Sequence, residues 1–177
     1  KQVSNVILIG LLFIPFLILA KIFCLLQTSI KTPYAPLIGY IIPTSVFSML
    51  FAVLFNNQIA VWATITMGLF LAVMSSGQFI YPLLGLIGGF AGIYKVSKVS
   101  QRGQLMMAGL SVAVANIITI VAWGFMWQQS SEMILFGILV GLLNGILSSI
   151  LTIGILPFLE SAFHITTVIR LLELANS

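Results

Sequence analysis

Six long apolar runs, separated by short polar breaks, constrain this chain more than any other feature. They lie at about 6–26, 37–55, 59–74, 79–94, 105–127 and 133–156. A helix needs about 20 apolar residues to cross the roughly 30 Å hydrocarbon core of a bilayer, and the runs approach or exceed that length. The chain is 60% hydrophobic and 6% charged, where a soluble domain carries about 25% charged residues. A transmembrane barrel would show short alternating segments, and these runs do not alternate. The expected fold is therefore all-α, a polytopic transmembrane helix bundle of about six membrane helices followed by a C-terminal amphipathic juxtamembrane helix. The expected division is a bundle over 1–159 and a linker helix over 160–177, directed toward a cytoplasmic domain missing from the sequence.

The breaks between runs fix the order of crossings. Lys31 and two prolines mark the loop at 27–36, and Asn56-Asn57-Gln58 and Ser75-Ser76-Gly77-Gln78 are tight polar turns. Lys95, Lys98 and Arg102 make 95–104 the most basic loop. Pro15 falls inside the first run and Pro43 near the start of the second, both tolerable where neighbours satisfy the freed carbonyls. Lys21, near the far end of the first run, reaches the headgroups by snorkelling. Six crossings put Lys1, Lys95, Lys98, Arg102 and Arg170 on one side and Lys21 and Lys31 on the other. The positive-inside rule then predicts cytoplasmic termini, with Trp127 in the belt at the far interface.

Within the runs, glycine and amide residues stand out. Gly85 and Gly89, and Gly88 and Gly92, are four apart, and Gly137, Gly141, Gly145 and Ser149 extend that spacing along one face of the sixth run. Small residues at this interval let helix backbones approach closely. The expectation is packing inside one bundle, with a homodimer seam as the alternative. Asn116 and Asn144 are amides in hydrocarbon, where each needs a partner. They are expected to bond to each other across the fifth and sixth helices, or to freed carbonyls, and they are also the ligand-binding candidates. The lone Cys24 excludes an internal disulfide and is expected to be a packing residue.

Catalysis has no foothold in this residue inventory. There is one histidine, His164, and no aspartate. No G-x-S-x-G, phosphate-binding loop or H-E-x-x-H is present. The glycine run at 85–92 sits inside an apolar span with no strand before it, so it reads as helix packing. No acidic or basic residue lies mid-span in the third to sixth runs, which argues against an ion-coupled transporter core. The small net charge of +4 reads as topology and anionic-lipid contact, with no nucleic-acid partner.

The last residues carry the most specific pattern. The sixth run is expected to end at Pro157 and Glu160, with Glu160 or Ser161 capping a new helix. Phe163, Ile165, Val168, Ile169, Leu172 and Leu174 then recur at helical spacing, and Glu160, His164, Arg170 and Glu173 supply its polar positions. Leu156-Pro157-x-x-Glu160-x-x-Phe163, followed by Thr167-x-x-x-Leu171-Leu172-Glu173-Leu174-x-Asn176, resembles the junction between membrane and HD domain in bacterial seven-transmembrane HD-domain phosphohydrolases, the cyclic-di-AMP phosphodiesterase family. Tyr40-Ile41-Ile42-Pro43, Met49-Leu50, Ile59-Ala60, and the loop Arg102 before Ala108-Gly109-Leu110 and Asn116 match the same family more loosely.

The resemblance implies an anchoring and signal-transducing module in the bacterial inner membrane. Its partners are the lipid bilayer and a cytoplasmic HD domain in cis or in trans, and the glycine stripe of the sixth run leaves a homodimer as a further candidate partner. It implies that Pro157, Glu160, Phe163, Arg170 and Glu173 transmit the signal, and that Lys1 falls at the second of seven helices, without the family's outward-facing domain. No cofactor is expected in this chain; the HD domain of the family binds a pair of divalent metal ions. The alternative function is a small six-helix transport protein, such as the substrate-binding membrane subunit of a vitamin uptake system. Against it, the first run holds only Ala20 where that class docks through an Ala-x-x-x-Ala pattern.

Overall fold

The computed structural model describes residues 2–98 and 102–163. Seven α-helices follow one another: α1 (Gln2–Ser29), α2 (Pro36–Gly39), α3 (Thr44–Leu54), α4 (Asn57–Met74), α5 (Ile80–Val96), α6 (Leu105–Met126) and α7 (Ser131–Phe163), with a 3-10 turn at Arg102–Gln104 leading into α6. The described residues contain no strand. The short α2 and α3 together make the second crossing, so the elements form the expected six-crossing all-α bundle. Among the described residues, five spans are long and apolar enough to cross a membrane. The remaining helix, α5, has 17 residues, about 25 Å of rise.

Each reversal has a local cause. Asn56 caps α4, its side-chain oxygen accepting from the Ile59 N–H at 2.8 Å, which satisfies one of the orphan amides of the first turn. After α4, Gly77 sits at φ +91°, a left-handed conformation that costs glycine little. At the opposite end, Tyr34 donates to a Glu132 carboxylate oxygen at 3.3 Å, tying the loop before α2 to the start of α7.

The core lies around α3. Ten of its eleven residues are buried, which is the mark of a helix enclosed on all sides. The outer faces are apolar instead: Val73 is 83% exposed, Phe158 77% and Phe125 74%. Apolar exposure on that scale marks a surface that faces lipid or another protein segment. The peripheral α1 leans on α3 through aromatic rings, with Phe13 at 4.8 Å from Phe47 and Phe16 at 5.6 Å from Phe47, both edge-to-face. Cys24 is free and buried within this packing.

The carboxy-terminal expectation needs correcting. No helix begins at Glu160 or Ser161, because α7 runs unbroken through Pro157 to Phe163. A proline inside a helix frees the carbonyl four residues back, here Ile153, and membrane helices tolerate this. Leu156, Leu159 and Glu160 are all buried, so packing holds the helix across the proline. Glu160 is thus an enclosed residue and not a solvated polar position. His164, Arg170 and Glu173 lie outside the described residues.

Candidate functional site

The second crossing is not one helix. In a continuous helix the N–H of residue 43 would bond the Gly39 carbonyl and that of Thr44 the Tyr40 carbonyl. Pro43 has no N–H. The Thr44 N–H turns to Ile42 O at 2.9 Å, and the Ile42 N–H reaches Gly39 O at 3.3 Å. The Tyr40 carbonyl is left over, deep in a membrane protein, where an unsatisfied backbone group costs several kcal/mol.

Asn144, from the middle of α7, supplies the missing donor. Its Nδ2 donates to Tyr40 O at 2.8 Å and to Ile42 O at 3.2 Å. With both amide hydrogens engaged, its Oδ1 must face away from the break. There it accepts from Asn116 Nδ2 at 3.4 Å and lies 3.4 Å from Ser148 Oγ, whose proton goes chiefly to the Asn144 backbone carbonyl at 2.7 Å. The orientation of Asn116 follows from this network: Nδ2 toward α7, Oδ1 toward α5. Asn116 and Asn144 are 3% and 5% exposed, and Asn116 Oδ1 has no hydrogen-bond partner. It borders a cavity of about 10 Å³ lined by Tyr40, Thr44, Ser45, Tyr81, Asn116 and Asn144 among others, room for about one water molecule.

The glycines make this geometry fit. A Cβ on Gly88 would fall 2.6 Å from Asn116 Oδ1 and 2.9 Å from Ser45 Oγ. One on Gly85 would approach Thr44, one on Gly89 would meet Ser48 and Thr64, and one on Gly92 would stand 2.9 Å from Met49. The α5 stripe therefore seats α3. The α7 stripe seats α6: a Cβ on Gly137 or Gly141 would press on Ile120 at 2.8 and 2.7 Å, and one on Gly145 would run into the Ala113 backbone, with Ala113 Cα at 2.6 Å. Ser149 fills the facing notch at Gly109. Both stripes thus face neighbouring helices of the same chain.

Around the break the polar groups form short relays. Thr64 donates to Ser48 Oγ at 2.7 Å, and Ser48 donates to the Thr44 carbonyl at 3.2 Å. Tyr81 donates to the Pro36 carbonyl at 3.1 Å and packs edge-to-face on Tyr40 with centroids 6.2 Å apart. Sequence reasoning paired Asn116 with Asn144 but missed the break itself, Tyr81 and Ser45. The signal was Pro43 behind a glycine, four positions back, within a span. The network holds no nucleophile beside a base. What it can do is hold a discontinuous helix in one arrangement through one amide.

A family profile described as a 7TM receptor with intracellular HD hydrolase matches residues 1–167. The chain belongs to this 7TM–HD family. Among curated proteins, the cyclic-di-AMP phosphodiesterase PgpH of Bacillus subtilis (strain 168) is 29% identical over 147 residues, covering 78% of this chain and 21% of the relative. The chain therefore spans about a fifth of that relative's length. No solved structure matches. Membership in the 7TM–HD family makes the chain a multi-pass membrane region and does not favour the vitamin-uptake alternative.

Proposed function

We propose that this chain is the membrane-anchoring and signal-transducing module of a cyclic-di-AMP phosphodiesterase. Its HD domain would be joined in cis or in trans on the cytoplasmic side of the bacterial inner membrane, with both ends of the bundle facing that side. The observation that carries the reading is α7. One helix holds Asn144 at the break, passes Pro157, and reaches Phe163 without interruption. From Asn144 to Phe163 it rises about 28 Å. A change in the occupancy or shape of the break thereby reaches the point where the family's hydrolase follows. Pro157, Glu160 and Phe163 are the transmitting residues within that helix; Arg170 and Glu173, assigned the same role from sequence, lie outside the described residues.

Hydrolysis itself belongs elsewhere. A metal pair needs several histidines and carboxylates, whereas this chain has one histidine and no aspartate. Among the described residues no three His, Cys, Asp or Glu side chains cluster. The residues do not fit the metal pair, and no catalytic step is assigned to them.

The test is a fusion of this chain to an HD domain of its family, with cyclic-di-AMP cleavage followed in proteoliposomes. A Gly-Ser insertion after Ser161 should uncouple the bundle, so that Asn144→Leu alters turnover in the direct fusion and has no effect in the interrupted one. Equal sensitivity to Asn144→Leu in both fusions would exclude transmission through a continuous helix.

A further inference from the structure

A groove outside the Asn116–Asn144 site runs along the outer seam of α4 and α5. Its apolar part has a volume of about 440 Å³ and is lined by Gly68, Leu69 and Ala72 on α4 and by Pro82, Leu86 and Phe90 on α5, among others. Gly68 opens it, since a side chain there would meet Leu86. Phe90 also lines a second hollow of about 360 Å³, which continues the groove toward Asn57, Tyr94 and Ser97. The two hollows thus meet at Phe90 along one seam, greasy at one end and more polar at the other. From Pro82 to Tyr94 the helix rises about 18 Å, close to the roughly 15 Å hydrocarbon depth of one leaflet.

The polar end carries positive charge in a fixed place. Lys98 Nζ lies 2.6 Å from the Tyr94 hydroxyl and 4.2 Å from the centre of its ring. Lys95 occupies the last turn of the same helix. A tyrosine hydroxyl and an amide line the polar hollow, and the Lys98 ammonium stands beside that tyrosine with Lys95 in the same last turn, a set that matches a phosphate-bearing headgroup above an acyl chain. The basic loop also marks the cytoplasmic side, where anionic lipids attract such clusters.

We propose that the α4–α5 groove binds an anionic phospholipid, its acyl chain against Gly68, Leu86 and Phe90 and its headgroup beside Tyr94, Lys95 and Lys98. A zwitterionic lipid would fill the trough but gain little from the lysines. A second copy of the chain would fill it with a helix and exclude lipid.

Native mass spectrometry of the full chain, released from detergent with equimolar phosphatidylglycerol and phosphatidylcholine, tests the assignment. Phosphatidylglycerol should be retained preferentially. Lys95→Gln and Lys98→Gln should each reduce its retention about fivefold, leave phosphatidylcholine retention unchanged and leave the unfolding midpoint in place. Ala72→Phe, which fills the apolar part, should reduce retention of both lipids. Equal retention of the two lipids by the unmodified chain would overturn the proposal, as would a preference that survives both lysine substitutions. A lipid-free dimer in the same spectra would overturn it by placing a second copy in the seam.

Discussion

The two halves of the bundle are held together by different means. Around α3, the α5, α6 and α7 helices meet through glycines, hydroxyls and the two asparagines, with backbones close enough that a single added carbon would collide. On the outer side, α1 rests on α3 through Phe13, Phe16, Phe47 and Phe51, and most of its span is turned to lipid. Rings slide and repack, whereas a backbone pressed into a glycine notch has one seat. In a bilayer, where lipid tails compete with any apolar contact, close approach and hydrogen bonding fix the arrangement. The first region is built to hold one register, and the second is built to tolerate change.

Four substitutions would break or sharpen this contrast, each read as the shift of the SDS-induced unfolding midpoint in mixed micelles. Gly145→Leu should have the largest effect, at least about 3 kcal/mol, because the obstacle is the Ala113 backbone and cannot yield. A well-folded Gly145→Leu protein would mean that α6 and α7 are not in register as described. Asn144→Leu should cost about 2 kcal/mol, since it strands the Tyr40 carbonyl and takes away one of the two donors to Ile42 O. Asn116→Leu should cost about 1 kcal/mol, for it gives up one long hydrogen bond and a carbonyl oxygen that has no partner. Combining the two should cost clearly less than their sum, and strict additivity would show that the amides do not interact. Phe16→Leu on α1 should cost about 1 kcal/mol or less. A penalty there as large as that of Gly145→Leu would erase the distinction between the two halves.

Much of this was legible in the amino-acid order, because hydropathy and small-residue spacing report directly on lipid and on close packing. The runs, the turns at 56–58 and 75–78, both glycine stripes and the Asn116–Asn144 pair all follow from local pattern. The break at Pro43 was less visible. Hydropathy registers side chains and not backbone hydrogen bonds, and the carbonyls that Asn144 serves lie 104 and 102 residues away in the chain. The same blindness placed a helix end at Pro157. One missing N–H looks like a stop in sequence, yet burial of Leu156, Leu159 and Glu160 outweighs it. Glu160 itself shows the limit of assigning polarity from helical spacing, since what a carboxylate faces depends on which helices surround it.

The length of α7 has a mechanical consequence. Its 33 residues amount to about 50 Å, well beyond the roughly 30 Å of hydrocarbon that any membrane helix must cross. Beyond Asn144 the helix continues for about 28 Å, seated against α6 at Gly145 and Ser149 and buried again at Leu156, Leu159 and Glu160. A tilt of only about 3° about Asn144 would sweep the tip by about 1.5 Å, the amplitude by which interface helices move in known molecular switches. Because the contacts of α7 are spread along its length, such a tilt would have to carry the helices packed against it along with the tip.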